Sequence, residues 1–179
     1  MDVGTGRGDL ILAMSKMMND QGNVIGIKHM KDLIDFGIKN ISKHDKGLLD
    51  DKKIKLILGE GRLGCKTEGP FDCIHVSGVA CEPPTELFYQ HKVGGRLVIP
   101  LYKSDEEFIY IMVKSKDELK LTKVLSVWFS PLTSVKEQLN LFNKNSKSEK
   151  ELNIKKSPTK NEKELEEENN KKLKKRIIN

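Results

Sequence analysis

Long hydrophobic runs are missing from this 179-residue chain. No apolar stretch approaches the roughly 18 residues that a membrane-crossing helix requires, which excludes a helical membrane protein. The opening residues, Met-Asp-Val-Gly-Thr-Gly-Arg-Gly, have no basic flank leading into an apolar segment and do not read as a secretory leader, so a cytoplasmic location is expected. Cysteine is scarce: the three present, Cys65, Cys73 and Cys81, are odd in number and form no Cys-x-x-Cys pair, which argues against a disulfide framework. Reduced, buried thiols are expected instead. The four histidines, at 29, 44, 75 and 91, lack ligand spacing, so no metal site is expected. Charge of one sign is also lacking over most of the chain. Of the net +6, residues 1–142 carry only +1 (20 Lys and Arg against 19 Asp and Glu), while residues 143–179 carry +5 (12 against 7). The body therefore gives no support for a nucleic-acid or anionic-membrane partner. Internal repeats are absent.

What is present is alternation. Short β-prone runs at 24–27, 54–58, 73–76 and 96–100 are separated by helical patterns, the mark of βαβ units on a parallel sheet. Leu10, Ile11, Ala13, Met14, Met17 and Met18 recur near the 3.6-residue period, as do Met30, Leu33, Ile34, Ile38 and Ile41, and each set predicts an amphipathic helix packed on a sheet face. The runs 108–113 and 119–129, joined by a charged turn at 114–118, are close enough to pair only antiparallel and predict an antiparallel sheet edge. From Asn143 onward the composition collapses to Lys, Glu, Asn and Ser. Six aliphatic residues there would contribute about 9–18 kcal/mol if wholly buried. Ordering the 37 tail residues costs several times more in backbone entropy. Two regions follow: a domain at 1–142 and a disordered polar tail at 143–179, with a candidate charged helix at 162–176. The basic cluster at 171–176 leaves open a weak polyanion-binding or nuclear-targeting arm beside a merely solubilising extension.

Two glycine-rich segments carry the chemistry. Asp2-Val3-Gly4-Thr5-Gly6-Arg7-Gly8-Asp9 stands where a strand hands over to a helix, and glycines there allow tight turning and close approach to a ligand. The spacing is Gly-x-Gly-x-Gly; the dinucleotide fingerprint fails because Asp9 occupies its third glycine position. The acidic Asp2 beside the loop suits a nucleoside and amino-acid ligand better than a pyrophosphate. The second segment, Gly59-Glu60-Gly61-Arg62, follows the run 54–58, on the side of a parallel sheet where ligands gather. Glu60 there can accept from an exocyclic amine, or serve as a solvated residue in a turn.

With these loops the chain resembles the protein-L-isoaspartate (D-aspartate) O-methyltransferase family, animal type, across about residues 1–142. The segments that carry the resemblance are Asp2 to Gly8, Val24-Ile25-Gly26-Ile27, Gly59 to Gly64, Phe71-Asp72-Cys73-Ile74-His75-Val76, Gly94-Gly95-Arg96-Leu97-Val98-Ile99-Pro100 and Pro131-Leu132-Thr133. The resemblance implies an α/β, Rossmann-like, S-adenosylmethionine-dependent methyltransferase fold: a mostly parallel sheet with an antiparallel edge and helices on both faces. It also implies methyl transfer from S-adenosyl-L-methionine to the free carboxyl of isoaspartyl residues in damaged proteins, a protein-repair reaction. Isoaspartyl-containing proteins and peptides are then the substrates, and a monomer is expected. The cofactor pocket would draw on Asp2, Gly4 and Gly6, on Glu60, Gly61 and Arg62 near the adenine, on Lys28 and His29 after the second strand, and on Thr133 and Gln138.

The sequence departs from the family at three places. Lys28 stands where the family has an acidic residue, and its ammonium has only donors to offer a ribose hydroxyl. A surface Lys at the edge of the pocket and a weakened pocket are both open readings. Glu60 replaces the family's usual Asp. Only Met1-Asp2-Val3 precedes the glycine loop, so the family's N-terminal segment with its catalytic serine has no counterpart, and no catalytic residue is assigned. Weak or absent methylation by the chain as given is expected. The alternative to a repair methyltransferase is accordingly a catalytically weak or inactive truncated relative that acts as a binding module.

Overall fold

The computed structural model describes residues 1–140 apart from Asp20, Asp117, Val135 and Leu139. The chain divides into Met1–Val135 and Lys136–Asn179. Of the second unit only residues 136–138 and 140 are described, and they are helical. The tail at 143–179 and its candidate helix lie outside the described residues.

In the first unit the elements run β1 (Asp2–Val3), α1 (Asp9–Met17), β2 (Val24–Lys28), α2 (Lys31–Asp45), α3 (Gly47–Asp50), β3 (Ile54–Leu58), β4 (Phe71–Val76), α4 (Thr85–Gln90), β5 (His91–Lys103), β6 (Glu106–Lys114) and β7 (Leu119–Ser126). They form a seven-stranded sheet in the order β3-β2-β1-β4-β5-β6-β7. The five strands from β3 to β5 are mutually parallel, while β6 and β7 pair antiparallel. The expected parallel sheet with an antiparallel edge is therefore the architecture found. Its order reverses at β1, so the chain crosses from β3 past β2 and β1 to β4. The carboxyl ends of β1 and β4, where that reversal occurs, form the switch point at which open sheets bind ligands.

Strand alternation explains why both faces are covered. Val3, Ile25, Ile27, Ile74, Val76, Leu97 and Ile99 face one way and form a core with Leu87 of α4. Val24 and Ile54 face the other way and pack with Ile11 of α1, Ile41 of α2 and Leu48 of α3. Each fully buried Ile or Leu stabilises by about 1.5–3 kcal/mol. Gly26 makes the closeness of the helical layer possible, since a Cβ there would lie 2.7 Å from the Ile11 Cδ1 and 2.8 Å from the Leu56 Cδ2.

Several sequence expectations need correction. Helix α1 buries Ile11 and Ser15, whereas Leu10, Met17 and Met18 are exposed. Its apolar positions are spread too widely round the helix for all of them to face β2. Met14, Met17 and Met18 instead line an apolar cleft of about 280 Å³ beside Phe71, Cys73 and His75. The cysteines are free as expected, but Cys73 and Cys81 are exposed. Cys73 lies on that open stretch of β4.

One buried titratable group lies beside the first core, against Phe71 and Phe88. His91, 1% exposed, opens β5 opposite Phe71 and meets the Phe88 ring edge-on at 5.5 Å. Neither ring nitrogen has a well-formed hydrogen bond. Burial first, then the charge of Lys114, lowers its pKa below the ordinary value, and the Phe88 and Leu87 backbones offset only part of this. The unfolded chain takes up this proton near pH 6.5 while the folded chain resists it. Stability is therefore complete above about pH 6.5 and falls as pH drops below it, by up to about 1.4 kcal/mol per pH unit for one proton. Urea midpoints at pH 7.5 and pH 5.5 are expected to differ less in His91→Leu than in the parent chain. Equal differences would remove His91 from the acid response.

Candidate functional site

Three loops meet at the carboxyl ends of β1, β2, β3 and β4. Directly after β1, Gly4, Gly6 and Gly8 have φ of +88°, +55° and +89°, in the left-handed region that favours glycine. The Gly4 and Thr5 amides donate to the Ile27 carbonyl at 2.9 and 3.3 Å, and the Ser77 amide donates to the Val3 carbonyl at 2.8 Å. These bonds fasten the glycine loop between the ends of β2 and β4. The loop opens α1 at Gly8, and no side chain caps that helix. Its first turn thus offers backbone N–H groups to an electronegative partner.

Between the loop and β4 lies a cleft of about 300 Å³, lined by Asp2, residues 4–7, Asp9, Leu10 and Ser77. Asp2 is 0% exposed; its Oδ1 lies 2.8 Å from the His75 Nδ1, while its Oδ2 has no hydrogen-bond partner. The Thr5 Oγ1 is likewise buried and unpartnered. A buried carboxylate oxygen without a donor is costly, and a ligand ammonium group supplies what it lacks. A carboxylate and an uncapped helix start along one cleft match the two charges of an amino acid.

The second loop touches the first strand. A Cβ on Gly61 would lie 2.6 Å from the Val3 Cγ1, so only glycine fits there. Glu60 is engaged within its own loop: its Oε1 accepts from the Arg62 Nε at 3.1 Å and its Oε2 from a terminal Arg62 nitrogen at 3.3 Å. The carboxylate expected to receive a ring amine is thus already held by Arg62, whose backbone amide also donates to Oε1 at 3.4 Å, so that the free lone pair is on Oε2. Gln90 fastens this loop from α4, accepting from the Cys65 amide at 2.7 Å and donating to the Leu63 carbonyl at 2.8 Å.

Lys28 ends β2, and its carbonyl accepts from the Gly59 amide at 3.0 Å, which joins the second and third strand ends. Its side chain is half-buried. Burial lowers the Lys28 pKa below the ordinary value, and the Asp2 carboxylate works against that shift. His29 follows it, also half-buried. The segment holding Thr133 runs beside the loop after β4: the Leu132 amide donates to the Val79 carbonyl at 2.8 Å, and a Cβ on Gly78 would lie 3.2 Å from the Leu132 Cα. Gln138 belongs to the second unit. Thus Asp2, Gly4, Gly6, Gly61 and Lys28 are brought to one end of the sheet, with Glu60 and Arg62 on the adjoining turn. Sequence reasoning missed Thr5 as a polar group of the cleft and His75 as the partner of Asp2. The sequence shows His75 within a β-prone run and a segment of the family resemblance, but its partner lies 73 residues away. Among the described residues, no group of three or more His, Cys, Asp or Glu could hold a metal ion.

The parallel sheet with its reversed edge and the glycine loop at the switch point define the fold of the S-adenosylmethionine-dependent methyltransferases. Residues 1–137 match the family model described as Protein-L-isoaspartate(D-aspartate) O-methyltransferase. The chain belongs to that family. It is 38% identical over 143 residues to Protein-L-isoaspartate O-methyltransferase 2 of Arabidopsis thaliana, covering 79% of this chain and 46% of that protein. It is 35% identical over 141 residues to the Caenorhabditis elegans Protein-L-isoaspartate O-methyltransferase, covering 78% and 63%. A Plasmodium falciparum protein described as a protein-L-isoaspartate O-methyltransferase, solved with S-adenosyl-L-homocysteine, superposes with a TM-score of 0.67 at 31% identity over 74% of this chain and 64% of that one. The chain thus spans about half to three fifths of the length of the curated relatives it matches.

Proposed function

We propose that this chain forms the cofactor-binding part of a protein-L-isoaspartate O-methyltransferase, a repair enzyme that esterifies the free carboxyl of isoaspartyl residues in damaged proteins. The reading includes S-adenosyl-L-methionine as methyl donor, a cytoplasmic location and a monomeric state. No helix among the described residues is long and apolar enough to cross a membrane.

The observation that carries the reading is the unpartnered, buried Asp2 Oδ2 in a cleft walled by left-handed glycines. The donor set fits the cofactor. Asp2 accepts from its ammonium group, and the glycine loop admits its amino-acid portion at backbone distance. The turn of Glu60, Gly61 and Arg62 borders the nucleoside side, with Thr133 on the segment beside Gly78. When bound, S-adenosylmethionine supplies an activated methyl group on a sulfonium. The acceptor is already a carboxylate, so the chain's task is positioning and water exclusion rather than proton transfer.

Calorimetric titration with S-adenosyl-L-homocysteine tests the cofactor half of the reading, and a dissociation constant tighter than about 100 μM is expected. Absence of heat at millimolar ligand would overturn it. Binding is the better first readout, because the chain covers less than two thirds of its curated relatives' length. Labelled methyl transfer to an isoaspartyl peptide, with the aspartyl peptide as control, tests the other half.

A further inference from the structure

We propose that His75 is a positioning residue for the ligand's ammonium group: its ring N–H holds one oxygen of Asp2 so that the other is presented to the glycine-loop cleft. The inference rests on the reading of that cleft as the pocket for the amino-acid end of the cofactor.

Asp2 and His75 are direct register partners on the adjacent parallel strands β1 and β4, so their side chains rise from the same face of the sheet. The Asp2 Oδ1 and the His75 Nδ1 are 2.8 Å apart. A buried carboxylate attached only through its own χ torsions can turn its oxygens. Once Oδ1 is held, the planarity of the group fixes where Oδ2 lies. The two side chains also line different cavities. Asp2 faces the glycine-loop cleft, while His75 lines the methionine-rich cleft with Met14, Met17 and Cys73. The imidazole therefore acts on the ligand only through Asp2.

Ser77 lies near this pair without completing a nucleophilic triad. Its Oγ is 3.5 Å from the same His75 Nδ1 that meets Asp2. A Ser-His-Asp relay needs the serine and the carboxylate on opposite ring nitrogens. The remaining arrangement is a donor shared towards Asp2, which favours the tautomer protonated at Nδ1. The charges of Lys28 and of the Met1 amino group also act on Asp2. They are fields without a fixed direction, whereas the His75 bond sets an orientation.

The test separates orientation from general damage by using two ligands: S-adenosyl-L-homocysteine, which has the ammonium group, and 5′-methylthioadenosine, which lacks the amino-acid portion. His75→Ala is expected to weaken the first by about tenfold and the second by less than about twofold. His75→Asn keeps a donor near the Nδ1 position and is expected to restore binding of the first to within about threefold of the parent. His75→Gln keeps bulk but moves the donor away, so it should behave like His75→Ala and carries the contrast if the alanine variant fails to fold. Equal weakening of both ligands, or equal behaviour of His75→Asn and His75→Gln, would overturn the proposal. Failure of the parent chain to bind S-adenosyl-L-homocysteine would instead overturn the pocket reading itself.

Discussion

Gly4→Ala is expected to eliminate measurable S-adenosyl-L-homocysteine binding, a loss of at least about a hundredfold, equivalent to nearly 3 kcal/mol. Two effects act on the same atom. At φ +88° an L-residue is in a region where its Cβ crowds the backbone, at a cost of about 1–2 kcal/mol. The new Cβ would also lie 3.2 Å from the Ser77 Cβ and 3.4 Å from the Ser77 carbonyl oxygen. Neither neighbour is the loose end of a long side chain, so relief requires the ends of β1 and β4 to part. That movement acts on the bonds from the Gly4 amide to Ile27 and from the Ser77 amide to Val3, which fasten the cleft. Gly94→Ala provides the comparison. Gly94 has φ +81°, but a Cβ there would meet nothing within 4 Å. It should lower stability by the same backbone term and leave ligand affinity unchanged. If thermal melts show similar losses but Gly4→Ala still binds like the parent, the glycine loop is only a structural turn.

The same contrast between local and distant constraints explains what the sequence made legible. β3 is legible at its observed bounds because the aliphatic-rich run Ile54-Lys55-Leu56-Ile57-Leu58 sits between polar turns. α2 follows from the spacing of Met30, Leu33, Ile34, Ile38 and Ile41, of which Ile34 and Ile41 are buried while Ile38 is exposed. The turn joining β5 to β6 was missed. Ser104 and Asp105 both take left-handed φ, at 52° and 65°, without the glycine that usually announces such a turn. α4 spans only six residues and is held by α4-to-loop bonds from Gln90, so periodicity had too little length to reveal it. The site divided in the same way. Gly4 and Gly61 were visible because glycine spacing is local. The Asp2–His75 pair was not, because it depends on β1 and β4 becoming neighbours across a crossover that no local pattern encodes.

Lys28→Glu is expected to tighten S-adenosyl-L-homocysteine binding by about tenfold to a hundredfold. In the resemblance to the family, the residue after the second strand is acidic and accepts from the ribose hydroxyls. Here that position ends in an ammonium group with no acceptor. The half-buried setting already disfavours the Lys28 charge, since burial lowers its pKa and Asp2 only partly compensates. Replacement removes the attraction to Asp2 and sets two carboxylates within reach of each other's field, a cost on the order of 1 kcal/mol for a partly solvated pair. A charge-assisted hydrogen bond to a ligand hydroxyl contributes about 1.5–3 kcal/mol, so the gain exceeds that cost over most of its range. Lys28→Met divides the effect, because it removes the ammonium without adding an acceptor. If the acceptor is what the pocket lacks, Lys28→Met leaves affinity within about threefold of the parent and only Lys28→Glu improves it. Equal gains in both variants would show that the ammonium obstructs the ligand. No gain in Lys28→Glu would place position 28 outside the ribose contact, and the family's acidic position would then have no counterpart in this chain's pocket.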